Sequence, residues 1–329
     1  MNTAETNSST SDRPIRVAVT YRVCQGWRAP MFSRLAAAEG IHLRVFHGSD
    51  VPGTKTINGK NLQGFEHVEM KTWYKNLYIT RHLTVTFNPT IRKHLEAFVP
   101  DVILCEGGSN FFNNMLIYPW ARRKNVATVW WSLGKLAGRP YRGLAKLHMK
   151  MYNRHMWKST VLLGYSSVAR DFYERSGCTQ PIFTAVNVVD TERTLARIPA
   201  AREGVGNLKA RLGVTNKKVI LFVGTMTHLK RIDDLIRAFG TIRKQRDDVA
   251  LVLVGDGIAL EDLKAVAREV DVPDIHFTGR VIEEVSTYFL ASDLFVLPGL
   301  GGLAISEAMC HKLPVVCTIA DGCERDQVR

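Results

Sequence analysis

The chain has 329 residues, 46% of them hydrophobic, enough to bury two ordinary cores and to make two domains the natural expectation. Its 44 Lys and Arg against 31 Asp and Glu give a net charge of +13, which favours anionic partners such as nucleotide diphosphates or phospholipid surfaces; no nucleic-acid-binding motif accompanies the charge, so nucleic acid is not the expected partner. The six cysteines form no C-x-x-C pair and no histidines stand at zinc spacing, so reduced thiols, no metal and no cofactor are expected. The absence of a secretion signal or a run of ~20 apolar residues points to the cytoplasm.

Residues 1–13 are polar and read as a disordered lead. From Pro14 short apolar β-rich runs alternate with helical patterns, the mark of βαβ units and a parallel sheet. Ile15 to Thr20 is the first strand, a helix starts at Pro30, and a second strand lies around His42 to Phe46. Residues 50–87 lack a clear period. There Trp73, Tyr74, Tyr78 and Arg81 form either a sugar- or lipid-contacting surface or, more simply, half-buried strand aromatics.

Helices follow at Asn88 to Phe98 and Phe111 to Arg123, strands at Asp101 to Cys105 and Val126 to Trp131. Ligands collect beyond the carboxyl ends of strands in doubly wound sheets, which singles out Glu106 to Gly108 and Trp131 to Gly134. Glu106 is a candidate catalytic or acceptor contact, the alternative being a helix-capping or solvent-facing acid. Arg142, Lys146, Lys150, Arg154 and Lys158 recur every four residues and predict a basic stripe on one long helix. Such a stripe suits an anionic membrane surface or a solvated face.

A strand at Thr160 to Gly164, a helix at Ser167 to Ser176 and the run Phe183 to Thr191 complete a first domain, 14–200, and residues 192–214 fit a boundary. The second domain, 201–329, opens with a buried strand, a turn containing Gly224, Thr225, Lys230 and Arg231, and a helix with Ile232, Leu235, Ile236 and Phe239 on one face. Next come VALVLV, the glycine turn Gly255 to Gly257, a helix, and the strand ending Phe277 to Val281. The last unit is a strand, Leu294 to Leu297, a turn from Pro298 to Gly302, a helix carrying Glu307, and a strand, Pro314 to Thr318.

The run DLFVLP…GLAISEAM…PVV resembles the donor-site signature of family 4 retaining glycosyltransferases of the GT-B fold, with Glu307 in the place of the second Glu of the E-x7-E motif. V-G followed by Lys230, the GDG turn, FTGRV, the early R-x-P-x-F-x-x-L-A run and FTAVNVVDT carry the same resemblance. It implies two Rossmann-type doubly wound parallel-sheet domains facing a cleft, with a nucleotide-sugar donor on the second. Donor-binding positions would be Gly224, Thr225, Lys230, Arg231, Gly255, Arg280, Val281, Gly301, Gly302, Leu303 and Glu307, and the catalytic candidates Glu106, Lys230 and Glu307.

The implied activity is retaining, metal-independent hexosyl transfer to an acceptor hydroxyl on a glycan or lipid-linked acceptor in cell-envelope polysaccharide synthesis, peripheral on the inner face of the plasma membrane. A nucleotide-binding inactive remnant and a GT-B nucleotide-sugar epimerase are the alternatives. Three positions depart from the pattern. Gly299 stands at the first Glu of the motif, Thr225 at an expected Arg, and Leu133 where a His is frequent. The chain also ends at Arg329, short of the further strand and crossing helix that such second domains carry, so a truncated second domain is expected.

Overall fold

The computed structural model describes residues 13–51, 57–77, 83–134, 150–151, 153–187, 189–318 and 323–328. These fall into two compact units, one holding residues through Ser132 together with a stretch ending at Leu163 and Tyr173–Phe183, the other holding Gly164–Phe172 and the chain from Thr184 onward.

In the first unit the chain runs β1 (Ile15–Tyr21), α1 (Ala29–Ala36), β2 (Ile41–Gly48), β3 (Glu66–Met70), β4 (Trp73–Leu77), β5 (Leu83–Phe87), α2 (Ile91–Phe98), β6 (Val102–Glu106), α3 (Phe111–Lys124), β7 (Ala127–Ser132) and β8 (Val161–Gly164). Helix α4 (Ser167–Arg175) leads to β9 (Ile182–Thr184), and the sheet order is β3-β2-β1-β6-β7-β8-β9. Strands β2, β6 and β7 pair in parallel with their inner neighbours. The β4–β5 hairpin is a separate antiparallel pair. Pro30 opens α1, where its fixed φ suits the first turn and its missing N–H is no loss.

The second unit begins with α5 (Thr191–Glu203) and α6 (Val205–Leu212), so the stretch that looked like a boundary by composition is two helices. Asp190 explains the first of them: its carboxylate accepts from Arg193 N–H as an N-cap. There follow β10 (Lys218–Val223), α7 (Ile232–Arg243), β11 (Val249–Val254), α8 (Leu260–Val270), β12 (Ile275–Gly279), α9 (Val285–Leu290), β13 (Leu294–Leu297), α10 (Ala304–Cys310), β14 (Val315–Cys317) and α11 (Cys323–Gln327). The order is β12-β11-β10-β13-β14, all parallel. All six residues of β11 are buried, as an unbroken apolar run requires in a strand covered on both faces. Helix α7 buries Ile232, Leu235, Ile236 and Phe239, the face its periodicity predicts. Two Rossmann-type parallel sheets are therefore present, as the sequence implies.

Two expectations fail. The basic stripe is not one helix, because residues 153–155 form a turn and Met156–Lys158 a 3-10 helix, which takes Arg154 and Lys158 off the line of Lys150; Arg142 and Lys146 lie outside the described residues. Met156, fully buried, anchors that break in the core. Trp73 and Tyr74 are not half-buried but 59% and 45% exposed, since the hairpin is a sheet separate from the main one and, among the described residues, Phe87 packs edge-on against Trp73. Tyr78 and Arg81 lie outside the described residues.

Candidate functional site

The order of the second sheet reverses direction between β10 and β13, and the loops leaving the carboxyl ends of those two strands hold Lys230 and the Pro298–Gly302 turn. They are tied together directly. Lys230 Nζ donates to the carbonyls of Leu300 at 2.8 Å and Gly301 at 3.1 Å, and Leu300 N–H donates to the Leu229 carbonyl at 2.9 Å. The β11 loop joins the row through Met226 N–H to the Asp256 carbonyl, and Gly255 N–H reaches the Gly279 carbonyl at the end of β12, both at 2.9 Å. Gly224, Lys230, Gly255, Gly301, Gly302 and Leu303 are thus brought to one edge of one sheet, with the strand end that precedes Arg280 and Val281 beside them.

Two glycines are required by close approach. A Cβ on Gly255 would collide with the Gly224 carbonyl oxygen, and one on Gly299 would lie 2.6 Å from both the Leu229 and Lys230 carbonyl oxygens. The second fact bears on the missing first Glu of the motif: the backbone of Leu229 and Lys230 occupies the space a side chain at 299 would need.

Glu307 sits in the first turn of α10, half-buried, and its Oε1 accepts from Thr194 Oγ1 at 3.4 Å. Burial pushes its carboxyl up from the usual range, with the Thr194 hydroxyl, His311 and Arg197 pulling the other way. Thr194 and Arg197, both on α5, are the site neighbours that sequence reasoning missed. The signal that points to their helix is Asp190 followed by Thr191 and Glu192, a cap with an acid in the first turn.

Other candidates lie differently. Arg231, in a left-handed conformation at φ 51°, is ion-paired to Asp234 at 2.6 Å and turns onto its own helix. Thr225 is exposed; so is Arg280, whose side chain meets no partner among the described residues. Val281 packs against the core.

Glu106 belongs to the first unit, at that sheet's own reversal between β1 and β6. It neither caps α3 nor faces solvent, being 7% exposed. Oε2 accepts from Arg22 N–H at 2.8 Å, and Oε1 accepts from Arg22 Nε at 3.0 Å and Ser109 Oγ at 2.7 Å. Burial alone would raise its carboxyl; the Arg22 guanidinium, with the Arg22 N–H and Ser109 hydroxyl, outweighs it and holds the group below the usual range. Next to it Arg28, 7% exposed, lies over the rings of Trp27 at 4.2 Å, Trp131 at 4.7 Å and Tyr21 at 5.0 Å. Leu133, after β7, is 37% exposed and apolar.

Comparison with known proteins gives this arrangement a context. Residues 217–328 match the family model described as Glycosyl transferases group 1. The alpha-monoglucosyldiacylglycerol synthase of Streptococcus pneumoniae is 31% identical over 121 residues, 35% of this chain and 27% of that protein. A GDP-mannose-dependent alpha-(1-6)-phosphatidylinositol monomannoside mannosyltransferase of Mycobacterium tuberculosis is 31% identical over 146 residues, 41% of this chain and 37% of that one. The aligned stretch is therefore well under half of either relative.

Among solved structures, Anabaena HepE in complex with UDP superposes with a TM-score of 0.71 over 96% of this chain and 83% of that chain, at 15% identity. WaaG, a glycosyltransferase involved in lipopolysaccharide biosynthesis, does so with a TM-score of 0.64 over 95% and 83%, at 18% identity. The likeness at these identities shows the fold, which is that of GT-B enzymes, and residues 217–328 are similar to group 1 glycosyltransferases.

Proposed function

We propose that the protein is a retaining, metal-independent hexosyltransferase that moves a sugar from a nucleotide-diphosphate donor to an acceptor hydroxyl. The observation that carries this reading is the convergence of the β10, β11 and β13 loops around Lys230 at the sheet's reversal point, inside the stretch matched to group 1 glycosyltransferases. The diphosphate would exchange with the Leu300 and Gly301 carbonyls for the Lys230 ammonium, and would accept N–H groups at the start of α10, where no side chain caps the first turn. Glu307 would receive the ribose hydroxyls on the oxygen that Thr194 does not hold. Backbone near Arg280 and Val281 would meet the base.

In the reaction the acceptor oxygen bonds to the anomeric carbon as that carbon's bond to the β-phosphate oxygen breaks. The electron pair leaves with the diphosphate, whose growing charge Lys230 stabilises, and the acceptor proton passes to the departing phosphate. Such a step needs no imidazole at Leu133. It also leaves Glu106, already bound on both oxygens, as the residue that positions Arg22 and the β1 loop rather than as a base.

A lipid-linked glycan of the cell envelope is the acceptor class we favour. The two relatives named above bear names with diacylglycerol and phosphatidylinositol acceptors, and the first unit exposes Trp27, Met31, Phe112 and Met115 just beyond β1 and β6. Work at the inner face of an anionic membrane fits that acceptor and the +13 charge.

The test is a panel of nucleotide sugars scored first by ligand-induced thermal shift and then for release of nucleoside diphosphate with and without a lipid-linked acceptor. Release that depends on the acceptor supports transfer. Binding without release would favour the nucleotide-binding remnant, for which the blocked position 299 is the specific support, and interconversion of two nucleotide sugars would favour an epimerase.

A further inference from the structure

The charge of this chain is concentrated in one place. Between Glu106 and Asp171 there is no acidic residue, while the same stretch holds eleven Lys and Arg, set against a net charge of +13 for the whole protein. Part of it lines a concavity of about 670 Å³ at the edge of the first sheet where β7 and β8 begin, the opposite edge from Glu106. Arg122 and Arg123 come from the last turn of α3, Lys158 from the 3-10 helix, and Asn125, Thr128 and Thr160 from the strand starts. No carboxylate lines it. None of the three cations has a hydrogen-bond or ion-pair partner among the described residues, whereas Arg13, Arg22, Arg44, Arg243 and Arg246 each bond a carboxylate.

The dipole of α3 accounts for cations in its last turn but not for Lys158, which comes from another element to the same hollow. His155 adds a second signal. It is 4% exposed, stacked on Tyr118 at 4.5 Å, and its Nε2 accepts from Arg154 Nε at 3.2 Å. The neutral ring's proton therefore sits on Nδ1, a buried donor that meets no acceptor among the described residues. A lining of uncompensated cations around an orphaned donor wants an acceptor-only, doubly charged ligand.

We propose that this concavity is a second binding site, taking a phosphate monoester group by Arg122, Arg123 and Lys158. It is separate from the donor site, which lies in the other unit, and stands or falls independently of the transferase reading. The group could be carried by a soluble phosphate ester or by the headgroup of a phosphatidic-acid-like lipid; the chemistry is the same.

The test uses the full chain and titration calorimetry with inorganic phosphate and with glycerol 3-phosphate, beside cosedimentation with phosphatidylcholine vesicles with or without phosphatidic acid. Saturable binding is expected, weakened about tenfold or more by Arg122→Gln and by Lys158→Gln at unchanged melting temperature, and untouched by Lys230→Ala. Retention on phosphatidic acid vesicles that glycerol 3-phosphate displaces identifies the lipid source; binding in solution without retention identifies the soluble one. The proposal is overturned if neither phosphate nor phosphatidic acid binds, or if the Gln variants bind as the parent does. Equal retention on phosphatidylserine vesicles without phosphate binding in solution would also overturn it, as surface electrostatics alone.

Discussion

Lys230 Nζ donates to the Leu300 carbonyl at 2.8 Å, closing the loop after β10 onto the loop after β13 across 70 residues of sequence. On the proposed reading the same ammonium meets the diphosphate, so it would both build the site and serve it. The Leu300 and Gly301 carbonyls that it holds are neutral, and an anion in their place would bring a gain in charge-assisted bonding.

Lys230→Ala should therefore weaken nucleotide diphosphate binding by roughly ten- to a hundredfold, since a hydrogen bond to a charged group is worth about 1.5 to 3 kcal/mol. The turnover number should fall as well, because leaving-group charge grows in the transition state. Calorimetry with the nucleotide found by the panel and single-turnover kinetics measure the two effects separately. An unchanged dissociation constant in the folded variant would remove Lys230 from the site.

At position 299 the expected outcome runs against the motif. Gly299→Glu restores the residue type that the E-x7-E pattern wants, yet even Gly299→Ala would press on the Leu229 and Lys230 backbone. Both changes should lower stability by about 1 to 3 kcal/mol and reduce nucleotide affinity. Thermal unfolding checks the first, and a Gly299→Glu protein that melts like the parent and transfers faster would contradict the geometry.

Glu307 is raised by burial, so ionising it costs more in the folded chain than in the unfolded one. The stability it permits is complete below its unfolded value near 4.5 and declines as pH rises through the higher folded value. Glu307→Gln should accordingly melt slightly higher than the parent at pH 7 and no higher at pH 4, while binding nucleotide about tenfold more weakly. Melting curves at the two pH values, paired with calorimetry, test a stability gained at the expense of function.

If Glu307 holds the ribose as proposed, Thr194 acts as a positioning residue through it. Thr194→Val keeps the shape but removes the hydroxyl, and nucleotide affinity should drop by about 1 kcal/mol, roughly fivefold. Thr194→Ser should recover most of it. A purely packing role predicts the reverse ranking, with Val closer to the parent than Ser.

In the first unit Glu106→Gln leaves the Arg22 guanidinium without its counter-charge and should cost about 3 kcal/mol, the lower end for a buried pair since Arg22 is partly exposed. Because Arg22 and Ser109 hold Glu106 below its ordinary value, its contribution is present above pH 4.5 and is lost as pH falls through the lower folded value. Denaturant midpoints at pH 7 and pH 3 should therefore differ more for the parent than for the variant.

Much of this was legible in the chain itself. The strands β10 and β11, the buried face of α7, the turn from Pro298 to Gly302 and the helix carrying Glu307 all lie where apolar periodicity and glycine punctuation put them, because those signals are local. What local signals cannot hold is the pairing of groups distant in sequence. Whether Glu106 was a base or a clamp depended on Arg22, 84 residues away, and Thr194 meets Glu307 across 113. That Arg231, read as a displaced phosphate ligand, pairs with Asp234 was likewise shown only by the structure. The vacancy at 299 looked like a lost carboxylate, and the fold makes it a steric necessity, because the backbone of another loop fills that space. Sequence fixes which elements form, since each residue's backbone preference and burial are its own; the tertiary structure decides which charges are spent on each other and which remain for a ligand, since Coulomb and hydrogen-bond energies depend on distance in space.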